Sequence, residues 1–211
     1  MLGVLVPALN EEENIHKVLK GLFRAGIAPE NIFVLNNNSV DNTKRIAKQC
    51  NCNVIDINSP GYSKTLKAGL RFLKDNEYTQ FLIVDGDNEI DATSVNKIIK
   101  LSDKYRLCCG LRCNPKRLGE QIVNAFFKKK YGIFDFMCGL KLGYVEDFNE
   151  RSSIDFGIDL LVLSHIKYES ILNLEIKLNS REGSRLGNNI KVNLMLIMSL
   201  LMYILRMRKL K

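Results

Sequence analysis

Histidine occurs only twice in the 211 residues, at His16 and His165, and no two cysteines show the C-x₂-C spacing of a zinc site. The six cysteines stand at Cys50, Cys52, Cys108, Cys109, Cys113 and Cys138, as C-x-C and C-C-x₃-C. That pattern argues against a zinc framework and a disulfide scaffold, and for free thiols in a reducing compartment. Internal repeats and low-complexity segments are missing. At this length the chain reads as one domain, or one domain with an appendage. Leu2 to Val6 is too short for a signal peptide, and Pro7 follows at once. The N-terminus is therefore expected in the cytoplasm. No apolar run reaches the roughly 20 residues of a spanning helix.

Acids are in deficit. Against 31 Lys and Arg stand 23 Asp and Glu, a formal charge of +8. This favours acidic partners: nucleotides, phosphorylated substrates, anionic lipid or nucleic acid. Nucleic acid is set aside, because no recognition module and no aromatics interleaved with the basic residues occur. The turn from Pro7 to Glu12 contains no glycine, which argues against the Gly-rich phosphate loop of a nucleotidyltransferase.

What is present is an alternation of short apolar runs with helix-length segments. Strands are predicted at residues 2–6, 32–35, 54–57, 81–84, 107–111 and 172–178. Helices are predicted from an Asn10 N-cap with Glu11 to Glu13 in its first turn up to Ala25, then to Gln49, and over 63–74, 92–105 and 154–165. Pro7 is expected to end the first strand. Such alternation indicates βαβ units, a mostly parallel sheet and right-handed crossovers. It weakens over 112–141, where seven basic residues face only Glu120 and Asp135. The Lys128–Lys130 run there reads as a solvated or headgroup-facing patch.

The chemistry concentrates in Asp85-Gly86-Asp87, directly behind an apolar run. Ligands of open α/β sheets sit at strand ends. The glycine keeps bulk away from an incoming group. Two carboxylates this close repel unless a cation or a donor-rich ligand lies between them. Hard oxygen ligands suit Mg²⁺ or Mn²⁺ bridging to a diphosphate. The competing reading is a solvated Asp-Gly turn.

From Ile190 to Leu205 the chain is nearly all apolar, broken by Asn193 and Ser199, and Arg206, Arg208, Lys209 and Lys211 close it. Two readings stand: a helix buried in an oligomer, or a membrane-associating segment held at anionic headgroups. The second is preferred, which divides the chain into residues 1–189 and a tail at 190–211.

Three motifs in register now carry a resemblance. Val6-Pro7-Ala8-Leu9-Asn10-Glu11-Glu12, Asn36-Asn37-Asn38-Ser39-Val40-Asp41-Asn42-Thr43 and Asp85-Gly86-Asp87 resemble the P-x-x-N-E turn, the D-D-x-S-x-D-x-T loop and the D-x-D of family 2 glycosyltransferases of the GT-A fold. Further on, Gly110-Leu111-Arg112, Asp135-x₃-Gly139-Leu140-Lys141 and Arg181-x-Gly183-Ser184-Arg185-Leu186 are similar to motifs of polyprenyl-phosphate sugar synthases, of which the dolichol-phosphate mannose synthases are members. Asn36 and Asn37 depart from the two aspartates usual in the family. Arg185 stands for a lysine, and Cys138 for a frequent serine.

The resemblance implies a three-layer α/β/α nucleotide-binding domain with a mostly parallel mixed sheet, plus the C-terminal apolar helix. It implies an inverting transfer of a sugar from a UDP- or GDP-sugar to a polyprenyl phosphate at the cytoplasmic membrane face. The alternatives are transfer to a sugar hydroxyl in polysaccharide or glycolipid synthesis, and an inactive nucleotide-binding scaffold. By the same resemblance Pro7, Asn10, Glu11, Asn36, Asp41, Lys64, Asp85 and Gly86 line the nucleotide-sugar site. Asp85, Asp87 and Glu89 hold Mg or Mn, and Arg112, Lys141, Arg181 and Arg185 clamp phosphates. Asp41 also reads as a helix cap, Glu11 as a first-turn acid and Lys64 as a solvated lysine. A hydroxyl acceptor needs a carboxylate base, for which Glu146-Asp147 is the expected pair.

Overall fold

Both faces of the first strand are apolar, which a sheet covered by helices on both sides requires. The structure is a computed structural model describing residues 1–59, 61–113, 117–148, 170–179 and 190–209. Strand β1 (Leu2–Ala8) lies near the middle of a seven-stranded sheet. The others are β2 (Ile32–Asn36), β3 (Asn53–Asp56), β4 (Gln80–Ile83), β5 (Leu107–Leu111), β6 (Lys141–Tyr144) and β7 (Ile171–Glu175). Their order is β3-β2-β1-β4-β6-β5-β7. All run parallel except β6, which is antiparallel to both β4 and β5.

Alternate strand residues feed two cores. Val4, Val6, Ile32, Val34 and Leu82 pack with Ile15, Leu19 and Leu22 of α1 (Ile15–Arg24), Ala47 of α2 (Thr43–Gln49) and Val95 and Ile98 of α4 (Ala92–Leu101). Leu5, Phe33, Leu35, Phe81 and Ile83 face Leu66, Leu70 and Leu73 of α3 (Tyr62–Asp75) and Val123 and Phe127 of α5 (Leu118–Tyr131). Leu196, Leu200 and Tyr203 of α6 (Ile190–Lys209) join this second core. The result is the expected three-layer α/β/α arrangement.

Several local expectations need correction. β1 does not stop at Pro7 but runs to Ala8, pairing Pro7 with Leu35 and Ala8 with Asn36. Proline is tolerated there because its carbonyl is what the neighbour uses: Gly86 N–H donates to Pro7 O at 3.1 Å. α1 starts at Ile15, so Asn10 is not its N-cap. The N–H groups of Asn10, Glu11 and Glu12 go instead to Ser39, Thr43 and Asp41. Long-range bonds thus outweigh the local capping signal. The last turn expected of the helix over 92–105 is a 3₁₀ turn, Ser102–Lys104.

α5 and β6 were not expected as elements. The basic residues of α5 obscure its buried positions Val123, Asn124 and Phe127. β6 has four residues and contains Gly143, a poor strand former. There a Cβ would lie 2.8 Å from the Phe81 ring. The helix expected over 154–165 and the loop carrying Arg181 and Arg185 lie outside the described residues.

Candidate functional site

The C-terminal ends of the parallel strands share one edge of the sheet, and the reversal of β6 brings its first residue, Lys141, to the same edge beside Ile83 and Cys109. Asp85 follows β4 there. Its half-buried carboxylate accepts a 2.8 Å hydrogen bond from the Tyr62 hydroxyl. Two glycines make room for this acid segment. At Gly86 a Cβ would stand 2.9 Å from Pro7 O and 3.2 Å from Ala8 Cβ, so the backbone lies directly against β1. At Gly139 a Cβ would stand 2.1 Å from Asp85 Oδ2. Any side chain at 139 would occupy the place of the Asp85 carboxylate. Asp87 Oδ1 accepts from Glu89 N–H at 3.1 Å, which fixes the following turn.

Burial and the charge of Asp87 push the Asp85 carboxyl up to about 6, against the Tyr62 hydrogen bond and the Lys141 charge, which pull it down. Lys141 is itself buried and donates to the carbonyl of Cys138. The Cys138 thiol is raised to about 12 by burial, so it stays neutral and is no nucleophile.

The loop after β2 forms the next wall. Asn36 donates to Asp56 Oδ1 at 2.8 Å and accepts from Ser39 N–H at 3.2 Å. Asp56 also binds Lys44 at 2.5 Å. The hydrogen bonds from Lys44 and Asn36 hold it below the usual carboxylate range. Where the chain carries Asn36 in place of an acid, Asp56 from β3 thus supplies a carboxylate at the same spot. Asp41 binds Thr43 N–H at 2.9 Å and Glu12 N–H at 3.0 Å. Burial raises this acid, but those bonds outweigh it and leave its pKa lowered. Glu12 returns a bond from Asn42 N–H at 3.0 Å, and Asn10 Oδ1 accepts from Val40 N–H at 2.9 Å. Asp41 and Asn10 therefore staple two loops together. Glu11 is buried beneath them and accepts from Asn14 at 3.0 Å.

On the far side, Arg112 forms a two-pronged pair with Asp135, at 2.7 and 3.0 Å. Asp135 is 1 % exposed. Burial would disfavour both charges, but each holds the other ionised, with the Asp135 carboxyl lowered and the Arg112 guanidinium raised. Glu89 and Glu120 each lie 3.9 Å from this guanidinium. Lys64 is separate from this cluster. It lines an open cleft of about 360 Å³ with Asp56, Lys67 and Arg71, at the β3 side of the edge.

Glu146 and Asp147 lie elsewhere. They follow the far end of β6, at the opposite edge of the sheet, and both carboxylates bind Arg106, at 2.6 and 2.7 Å. The expectation of a base there is therefore corrected. Tyr62 and Asp56 were not singled out in the sequence, and Glu12 only as a first-turn acid within the first motif. The one available signal was an aromatic residue placed directly after Gly61, within reach of the Lys64 segment.

Among the described residues no three His, Cys, Asp or Glu side chains come together as a metal cage. Glu89, expected as a third ligand, is thus not gathered with Asp85 and Asp87, but that pair would still suit a divalent ion completing its coordination from outside the protein. The raised Asp85 is a carboxylate whose ionised form such a cation would favour.

Comparison with known proteins bears on the fold and the family. The fold is like that of glucosyl-3-phosphoglycerate synthase from Mycobacterium tuberculosis, solved with Mn²⁺, UDP and glucosyl-3-phosphoglycerate. The TM-score is 0.72 at 14 % identity, covering 95 % of this chain and 78 % of that one. Protein RfbJ of Shigella flexneri is 29 % identical over 120 residues, 57 % of this chain and 89 % of that protein. An uncharacterized protein of Methanocaldococcus jannaschii is 30 % identical over 146 residues, 67 % of this chain but 58 % of its own length. None of these likenesses singles out the polyprenyl-phosphate branch. The model of glycosyl transferase family 2 matches residues 3–147, the span holding every wall of the site just described, and the chain belongs to that family.

Proposed function

We propose that the protein moves a sugar from a nucleoside diphosphate sugar to a hydroxyl-bearing acceptor in glycan or glycolipid synthesis. The observation that carries the acceptor assignment is the Arg112–Asp135 pair. An arginine held by a buried carboxylate at 2.7 Å is already neutralised, which weakens the phosphate clamp on which a polyprenyl-phosphate acceptor rests. The fold likeness to a synthase of glucosyl-3-phosphoglycerate supports the same reading.

In this reading Asp56 and Asn36 face the base and ribose, and Asp85, Gly86 and Asp87 face the diphosphate. Mn²⁺ or Mg²⁺ on Asp85 and Asp87 would offset the charge of the departing diphosphate. Lys141, buried behind Asp85, keeps the acid pair from accumulating uncompensated charge. A hydroxyl must lose its proton to react. Glu89, two residues beyond Asp87 and 3.9 Å from Arg112, is the carboxylate assigned to take it.

A second reading, transfer to a polyprenyl phosphate, is kept because Lys141 and the exposed apolar side chains of α6 offer a cation and a greasy surface. A phosphate monoester is already anionic at neutral pH and needs no base. The two separate in one experiment. Protein and labelled UDP- and GDP-sugars are incubated with oligosaccharide acceptors or with polyprenyl phosphate, and products are partitioned between water and organic solvent. Water-soluble glycoside that Glu89→Gln reduces roughly 10²-fold or more, with donor binding unchanged, is expected. Lipid-phosphate product that survives Glu89→Gln overturns the hydroxyl assignment.

A further inference from the structure

We propose that the outer face of α6, with the adjoining face of α5, docks on an anionic lipid bilayer with α6 lying flat in the headgroup layer. This inference does not depend on which acceptor is used.

α6 has two apolar faces. Leu196, Leu200 and Tyr203 are buried against α5. Tyr203 meets the Phe126 ring edge-on and the Phe127 ring at a tilt, and Asn193 Oδ1 accepts from Gly119 N–H at 2.8 Å. The second face carries Ile190, Leu194, Met198, Leu201 and Leu205, at steps of three or four residues, flanked by Met195 and Met202. All seven are exposed. Gly119 meets Asn193 near one end of the helix pair, and Tyr131 meets Tyr203 near the other, so α5 and α6 run side by side in the same direction. α5 adds exposed Leu118 and Ile122. Single exposed apolar residues are ordinary, but a stripe of this length marks an interaction surface.

Charge selects the occupant. Residues 190–211 contain no Asp or Glu and five Lys or Arg: Lys191, Arg206, Arg208, Lys209 and Lys211. The last turn of α5 adds Lys128, Lys129 and Lys130, all exposed, and Lys130 Nζ lies 3.2 Å from the Tyr203 hydroxyl. The three cations of α5 therefore stand toward the end of the pair marked by Tyr203, and the sequence that follows Leu205 is rich in Lys and Arg. A second copy would bring the same unbalanced cations to the contact. A layer of anionic headgroups neutralises them while the stripe enters the acyl boundary. Among the described residues no helix is long and apolar enough to cross a membrane, so the geometry is in-plane.

The test is flotation of the full chain with vesicles of phosphatidylcholine alone, or of phosphatidylcholine mixed with phosphatidylglycerol, at low and high salt. Binding to the mixed vesicles, weakened by salt, is expected. The M198E/L201E double variant should bind roughly tenfold or more weakly with its melting curve unchanged, since both side chains are exposed. A K128E/K129E variant, which leaves the apolar stripe intact, should lose affinity for the mixed vesicles selectively. Equal flotation with both vesicle types overturns the anionic assignment. A well-folded chain that floats with neither, or a solution dimer split by Met198→Glu without vesicle binding, overturns the bilayer and makes the face an interface between copies.

Discussion

Asp85 carries a conflict that the rest of the site is arranged around. Its carboxyl is pushed to about 6 from 3.8, so the folded protein holds this proton more tightly than the unfolded chain does. The stability it contributes is complete below the unfolded carboxylate value and is lost as pH rises through about 6. In metal-free protein Asp85→Asn should therefore stabilise the fold by ~1–3 kcal/mol at pH 8, discounted for its partial exposure, and add almost nothing near pH 4. Urea denaturation in EDTA at the two pH values measures this, and equal shifts at both would contradict the assigned cause. Arg112 shows the opposite economy of charge. Removing it by Arg112→Ala leaves the buried Asp135 without its guanidinium counter-charge, with only Asn124 and the backbone N–H of residue 112 still donating to it, at a cost of ~3–5 kcal/mol. The variant should accordingly show a lowered denaturation midpoint. A variant with wild-type stability would show that the pair matters less to the fold than its 2.7 Å geometry implies.

At the scale of elements, helices and loops here finish one another's hydrogen bonds. The Arg117 N-cap of α5 contributes no side-chain cap, and Asn193 of α6 supplies the acceptor for Gly119 N–H instead. The polar residue that interrupts the apolar run of α6 thus has a task 74 positions away. Asn193→Ala should cost ~1 kcal/mol, typical of a lost cap. Amide exchange should accelerate at the start of α5 as well as in α6. Acceleration confined to α6 would mean that the cap does not couple the two helices. The stapled loops after β1 and β2 work in the same way. Glu12 and Asp41 exchange bonds with each other's segments, and this reciprocity, rather than an Asn10 cap, sets where α1 begins.

For the whole molecule, the proposed donor site draws on β1, β2, β3, β4 and β6, so occupancy should bear on global unfolding. A ligand bound only by the folded state at about 100 times its Kd adds ~2.7 kcal/mol. For a chain of this size UDP with Mn²⁺ should raise the Tm by roughly 5–10 °C. UDP in EDTA should raise it much less. Equal shifts with and without the metal would remove the metal from the proposed site.

The alternation of strands and helices, the α/β class and the placement of three motifs at strand ends were legible in the residues alone. These follow from local rules: apolar periodicity, turn chemistry, and acids set directly behind a buried run. The sequence also carried the family, because motifs at a fixed order report a shared sheet. What it could not carry were partners distant in the chain. That β6 runs backwards, placing Lys141 beside Asp85 and carrying Glu146 and Asp147 to the opposite edge, depends on strand order, which no local pattern encodes. That Asp56 stands beside Asn36, and that Asp135 holds Arg112, depends on which charges the packed sheet brings within about 3 Å. The two faces of α6 are equally apolar in sequence, and only packing against α5 decided which one is buried.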